Sequence, residues 1–387
     1  MKKTLVTIIC LALAFAAQAQ DRIELIHGPY LQDIGTTEAT VVWIASTNSV
    51  GWVELAPDDG SHFYETERPK YFDSRNGIKT ESRVHSVKIT GLKPGTTYRY
   101  RVFSTEITEH KANFVSYGRT ASTRVFQKEP LRLTTLDPEK ESVSFAMLND
   151  MHGDTLKLEK LIGYCDMAKT DMVLFVGDMV SIFNSEEQVF SGFMDKATEI
   201  FAAEKPVFYT RGNHETRGEL AYCFQDYFSP SKEHIYYMFR QGPVCFIALD
   251  SGEDKPDSDI EYSGINVYDE YRSEQAEWLK KAVQSEEFRT APFRIVTCHV
   301  PAMGGWHGEK EVKEKFIPIL NEAGVDIMLT GHLHRRMHRN AGDDGVNFPV
   351  LVNSSEDVLQ CTVSGKELKI RIVDLQGKTV DTLTIKK

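Results

Sequence analysis

Met172-Val173-Leu174-Phe175-Val176-Gly177-Asp178 sets five consecutive apolar residues directly before a glycine and a carboxylate. A run of that length without alternation reads as a strand buried on both faces, the kind found where helices cover a sheet on either side. The same order recurs along the chain. Val143 to Leu148 runs into Asp150-Met151-His152, and Pro206 to Tyr209 precedes Gly212-Asn213-His214-Glu215. Arg294 to Cys298 precedes His299, and Asp326 to Leu329 precedes Gly331-His332-Leu333-His334. Val244 to Leu249 is another such strand. Leu158-Leu161-Ile162-Cys165 and Ala276-Leu279-Val283 carry helical spacing, and Glu309 to Leu320 reads as helix. The pattern predicts an α/β domain from 143 onward, with strands again from Phe348 to Ile385 and a hairpin turn at Asp374 to Lys378. Ligands bind at the carboxyl ends of strands in such sheets, so five polar clusters in this one position are expected to converge.

Ahead of that domain the pattern is different. From 21 to 127 short apolar runs of period two, such as Ala39 to Ile44, Gly51 to Leu55, Arg83 to Ile89 and Thr97 to Val102, are separated by turn-forming clusters. This predicts an all-β sandwich of about 100 residues. Ile89-Thr90-Gly91-Leu92-Lys93-Pro94-Gly95-Thr96-Thr97-Tyr98 resembles the corner of a fibronectin type III domain. The stretch 128–142, with Pro130 and Pro138, reads as a connector laid along the surface.

The first residues, two lysines, an apolar run from Leu5 to Ala17 and then Ala17-Gln18-Ala19, have the layout of a secretory signal peptide, 1–19, cleaved after Ala19. Loss of Lys2 and Lys3 takes the formal charge from -11 to -13. A secreted or periplasmic location is expected, and no later segment is apolar enough to span a membrane. The acidic balance, 56 Asp+Glu against 45 Lys+Arg, gives no general attraction to nucleic acid or anionic lipid. Of the six cysteines, the five beyond the leader include no CxxC pair and read as small buried hydrophobes. No heptad pattern speaks for any oligomeric state.

Asp150, His152, Asp178, Asn213, His299, His332 and His334 form an oxygen and nitrogen ligand set without thiolate, suited to Mn, Fe or Zn rather than to a structural zinc site. Seven ligands exceed the need of one tetrahedral ion and fit two ions sharing a carboxylate, for which Asp178 is the natural choice. Extended Asp150-Met151-His152 and His332-Leu333-His334 would present their outer residues on one side. Two ions ~3.5–4 Å apart hold a bridging hydroxide and clamp phosphoryl oxygens, which is the equipment of phosphate ester hydrolysis.

As an ordered series these residues resemble the calcineurin-like metallophosphoesterases over roughly 143–360. The β-sandwich in front, opening on Gly28-Pro29-Tyr30-Leu31-Gln32, makes the layout similar to the purple acid phosphatase branch. The resemblance implies a four-layer α/β/β/α domain, 143–387, preceded by a fibronectin type III-like sandwich, 21–127. It implies a first metal on Asp150, His152, Asp178 and His334, a second on Asp178, Asn213, His299 and His332, and His214, oriented by an acidic neighbour such as Glu215, near the leaving group. Purple enzymes have glycine at the position of His152 and a tyrosine at that of Ser181, so the chromophore tyrosinate is absent and ferric iron is not implied.

Arg211, together with Asn213, His214 and His307 of the loop Pro301 to Gly308, is a candidate for substrate contact, and Asp254 to Tyr271 for an insertion that narrows specificity. The expected function is hydrolysis of small phosphomonoesters. A phosphodiesterase acting on nucleotide or lipid-headgroup diesters is the alternative within the same chemistry, and a non-catalytic extracellular binding protein the alternative outside it.

Overall fold

The computed structural model describes residues 22–124 and 128–387, so the signal segment expected at 1–19 lies outside the described residues. Among those described, no helix is long and apolar enough to cross a membrane.

The N-terminal unit is built around one strand of 20 residues, Glu38–Pro57. The sequence reading divides this stretch into two strands, but Ala45 to Val50 contains no glycine or proline to stop the chain. The first half pairs with Leu25–Gln32 and Ser82–Thr90, and the second half with Lys70–Phe72 and Thr97–Lys111, so one strand serves both layers. Trp43 sits fully buried between the layers, its indole donating to Ser104 Oγ at 2.8 Å. Truncating such a ring costs typically about 3–5 kcal/mol.

The connector expected at 128–142 is not all surface. Leu131–Thr134 pairs with Thr97 to Tyr100 as a further strand of the N-terminal sheet, and Leu133 and Leu136 are buried. Pro130 stands just before the first paired residue, where its missing N–H does no harm.

The C-terminal unit has two six-stranded sheets packed face to face. In the first, Val207–Thr210, Met172–Val176 and Ser142–Leu148 run parallel and are extended by the antiparallel strands Asp357–Ser364, Glu367–Asp374 and Thr379–Lys386. In the second, Val244–Leu249, Phe293–Cys298, Ile327–Thr330 and Val350–Val352 are parallel. Alternate residues explain the unbroken apolar runs. Phe145, Met147, Leu174 and Val176 face the other sheet, and Phe145 meets Phe246 edge to face at 5.4 Å. Ala146, Leu148, Val173 and Phe175 face outward onto Thr155–Ile162 and the helical stretch 186–202. Tyr268–Ala282, His307–Lys315 and Ile317–Ala323 cover the outer face of the second sheet, which completes the expected four layers.

The two units share their core. Tyr30 donates to the Tyr227 carbonyl at 3.0 Å and Tyr100 to the Ala203 carbonyl at 2.6 Å. Tyr30 also lies against Phe190 and Phe228. The five cysteines among the described residues are free; Cys245, Cys298 and Cys361 are buried as expected, whereas Cys165 and Cys223 are only half-buried.

Candidate metal centre

The parallel strands of both sheets end at one edge, which brings residues from 150, 178, 213, 299 and 332 together. The ligating pairs are not extended, contrary to the expected alternation. Asp150, His152, Asp178, His332 and His334 all have positive φ, from 50° to 70° in round terms: 54°, 51°, 54°, 70° and 52°. Each left-handed non-glycine residue costs about 1–3 kcal/mol, and such residues gather where function requires a fixed geometry. The turns still bring both members of each pair to the same place and leave Met151 buried.

The preceding glycines have a steric reason. A Cβ on Gly177 would collide with the His299 imidazole and the Gly212 backbone, and one on Gly212 would collide with the Asp178 carboxylate. The three loops approach closer than any side chain allows.

Asp150, His152, Asp178 and His334 place one ligand atom each within 4.8 Å of one another, as do Asp178, His299 and His332. His334 Nε2 lies 3.2 Å from Asp150 Oδ1 and 3.3 Å from His152 Nε2. His299 Nδ1 donates to the Val176 carbonyl at 2.8 Å, which leaves Nε2 facing Asp178 Oδ2 at 3.0 Å. His332 Nδ1 is 3.1 Å from the carboxamide oxygen of Asn213. Asp150 Oδ1 and His299 Nε2 are fully buried and, despite these close polar neighbours, make no well-directed hydrogen bond. Buried ligand atoms crowded this closely around Asp150 and Asp178 form a donor set that a cation would fit.

The electrostatics agree. Burial opposes a charged His299 ring, but the Asp178 and Asp150 carboxylates outweigh it and raise the ring to about 10. Burial likewise opposes ionisation of Asp178, yet His299 and His214 hold it far below the carboxylate range. His152 and His332 are pushed down to about 4, chiefly by burial, so their lone pairs are free for a metal near neutrality.

The other expected site residues divide. His214 Nε2 lies 3.9 Å from Asp178 Oδ2, and its Nδ1 donates to the Ser181 carbonyl at 2.7 Å. Glu215 does not hold this ring. Its buried carboxylate accepts from the backbone N–H groups of Asp178 at 2.9 Å, Met179 at 2.6 Å and Gly212 at 2.9 Å, and from Tyr209 at 2.8 Å. Its place on a turn of 3-10 helix directs it inward, away from His214. Arg211 is buried and paired with Asp250 at 2.7 Å, so its guanidinium is not presented to the ligand cluster. His307 is likewise drawn off, bonded to Asp269 at 2.6 Å.

Ser181, which marks the departure from the purple pattern, touches the other departing residue. Its hydroxyl lies 3.2 Å from His152 Nδ1, while its carbonyl holds His214. One residue thus orients two imidazoles, a device described for metal ligands in general.

Sequence reading missed Arg217 and Glu253, and gave Asp254 only as the start of an insertion that narrows specificity. Arg217 is bonded to both oxygens of Glu253 at 2.9 Å and lies 3.3 Å from His214 Nε2. Asp254 Oδ2 is 3.8 Å from His332 Nε2, and burial together with the neighbouring Glu253 pushes this carboxyl up to about 7. The strand-end rule applied to Val244–Leu249, followed five residues on, leads to this pair.

Comparison with known proteins agrees with this geometry. Residues 143–336 match the calcineurin-like phosphoesterase family, and residues 28–129 match the purple acid phosphatase N-terminal domain. Probable purple acid phosphatase 20 of Arabidopsis thaliana is 25% identical over 315 residues, which cover 74% of this chain and 64% of that protein. Purple acid phosphatase 18 of the same plant is 24% identical over 336 residues, covering 81% and 66%. The chain spans just under two thirds of the length of these curated relatives. With half of its residues in the matched phosphoesterase region and a second matched domain ahead of it, the chain belongs to the calcineurin-like phosphoesterase family, in the form that carries a purple acid phosphatase N-terminal domain.

Proposed function

We propose that this chain is a phosphomonoesterase with two metal ions, the first held by Asp150, His152, Asp178 and His334, the second by Asp178, Asn213, His299 and His332. The two groups of ligand atoms that share Asp178, one with Asp150, His152 and His334 and the other with His299 and His332, carry this reading. The donor set of carboxylate, carboxamide and imidazole favours Mn, Fe or Zn. Such ions, when bound, supply a nucleophilic water at neutral pH and offset the charge of the phosphoryl oxygens.

The chain's own residues do the rest. The Val176 carbonyl fixes the tautomer and direction of His299, and the Ser181 hydroxyl helps to orient His152. With Nδ1 donating to Ser181, His214 keeps Nε2 on the side of the Asp178 carboxylate, beside the reacting phosphate, and in its protonated form it can donate to the departing oxygen. Export through the 1–19 leader belongs to the same proposal.

The test is metal content and rate together. Fully loaded protein should hold two ions per chain, and metal-stripped protein should recover about tenfold more activity with Mn, Zn or Fe than with Mg. Phenyl phosphate should be cleaved faster than bis-p-nitrophenyl phosphate; the reverse order would make the enzyme a diesterase, and one ion per active chain would remove the shared-carboxylate arrangement.

His214→Ala should keep both ions but lose about 10²-fold more rate on an alkyl phosphate than on p-nitrophenyl phosphate, whose phenolate departs without a proton. Equal losses on the two esters would assign His214 to the phosphoryl oxygens. Iron-loaded protein should show no tyrosinate charge-transfer band in its visible spectrum, because Ser181 and His152 occupy the two departing positions; a strong band would mean that another tyrosine reaches the metal.

A further inference from the structure

A cavity of about 630 Å³ opens between the segments 216–222 and 261–268. That volume lies within the ~300–1,000 Å³ of small-molecule sites and far exceeds what a phosphate alone requires. Its wall adjoins the metal centre through two residues. Arg217 lines it and stands 3.3 Å from His214 Nε2, and Thr216, also in the wall, donates to the Asn213 carbonyl at 2.6 Å. Ile182, on the opposite side in sequence, directly follows the Ser181 carbonyl that holds His214. A group bonded to a phosphate beside His214 therefore has this cavity as its neighbour.

The walls set aromatic and apolar side chains among charged and polar ones. Tyr222, Tyr262, Ile265 and Tyr268 line the space. Tyr222 and Ile265 are 85% and 83% exposed, and Ile260 and Val267 of the same segment are exposed at 93% and 68%. Single exposed apolar side chains need no explanation, but Tyr222 and Ile265 line this one cavity, and Ile260 and Val267 flank its lining residues in sequence. The two arginines in the wall already lie over its rings, Arg217 at 6.0 Å from Tyr262 and Arg211 at 5.6 Å from Tyr268. Their charge is matched by carboxylates, Arg217 by Glu253 and Arg211 by Asp250. Glu219 adds negative charge to the lining, while Glu261 is matched by Lys255. Such a cavity favours a flat or apolar group and opposes a second phosphate.

We infer that this cavity receives the leaving group and selects monoesters in which a single phosphate is carried on an aromatic, apolar ring system. The inference rests on the hydrolase reading above and adds to it the class of substrate.

The experiment compares 2-naphthyl phosphate with phenyl phosphate, two esters with leaving groups of similar basicity that differ in apolar surface. The kcat/KM ratio should favour the naphthyl ester by about tenfold, mainly through KM, in line with the apolar area the second ring buries. Tyr222→Ala and Ile265→Ala should each lower that ratio to about threefold, while Tyr117→Ala, an exposed tyrosine of the N-terminal unit, should leave it intact. A sugar bisphosphate should be a poorer substrate than either aryl ester. The same comparison is made by calorimetry with naphthylmethylphosphonate and benzylphosphonate on the metal-loaded protein, which reads the cavity without turnover. Equal affinity for the two phosphonates, or a preference that survives both cavity variants, would overturn the inference. A tenfold phosphonate preference that the variants erase, with neither ester cleaved, would uphold the apolar subsite and remove the hydrolase reading instead.

Discussion

Asp178→Asn is expected to release both metal ions and lower phosphomonoester hydrolysis by about 10⁴-fold. Asp178 is placed to serve both halves of the centre: its ligand oxygen falls within 4.8 Å of those of Asp150, His152 and His334, and also of those of His299 and His332. An amide brings no charge and one good lone-pair oxygen in place of two. Ions at such sites contribute several kcal/mol of transition-state stabilisation, and each ~1.4 kcal/mol is a factor of ten in rate. Metal analysis of the purified variant beside wild type decides the matter. His334→Ala, by contrast, should empty the first position alone. Unchanged metal content in Asp178→Asn would move the shared ligand elsewhere.

The second large effect is expected from a residue that touches neither metal nor substrate. Glu215→Gln should destabilise the metal-free protein by about 1.5–3 kcal/mol, the range for hydrogen bonds to a charged group. One oxygen accepts from Asp178 and Gly212 N–H, the other from Met179 N–H and Tyr209, so a carboxamide must turn its own NH₂ group toward donors. Glu215→Ala leaves all of those donors unpaired and should cost at least as much. Urea denaturation of the metal-free proteins measures this separately from any loss of metal. A difference below about 1 kcal/mol would show that the Asp178 and Gly212 loops hold their shape without the carboxylate.

The contrast between these two residues shows what the chain discloses before it folds. The strand ends and their polar clusters were legible because unbroken apolar runs such as Met172–Val176 can only be buried on both faces, and position after a strand is a local property. Glu215 is as close in sequence to Asn213 as any ligand, yet its work lies across the loop on the Asp178 backbone. Side-chain direction on a single helical turn decides it, and spacing does not reveal that. Arg211 and His307 fail for a related reason. Their partners, Asp250 and Asp269, lie 39 and 38 residues away, and a nearby carboxylate captures a cation before it can be offered to substrate. The left-handed turns at Asp150, His152, Asp178, His332 and His334 were hidden as well, since L-residues with side chains ordinarily avoid them and only the surrounding contacts enforce them. The 20-residue strand Glu38–Pro57 was misread as two because a change of pairing partner, unlike a turn, leaves no glycine or proline behind.

The tyrosine hydroxyls that cross between the two units bear on how this protein can be divided. Tyr30 and Tyr100 cap carbonyls of Tyr227 and Ala203, in a helical layer that also packs on the sheet beneath the metal centre. A fragment starting at Ser142 would open the ring-lined seat of Tyr30 to water and lose partners for those carbonyls, with Phe190 and Phe228 newly exposed. Evolutionary shuffling of the phosphoesterase half onto a different leading domain would meet the same obstacle. Joined through one core, the two units are expected to unfold together despite their two sequence signatures.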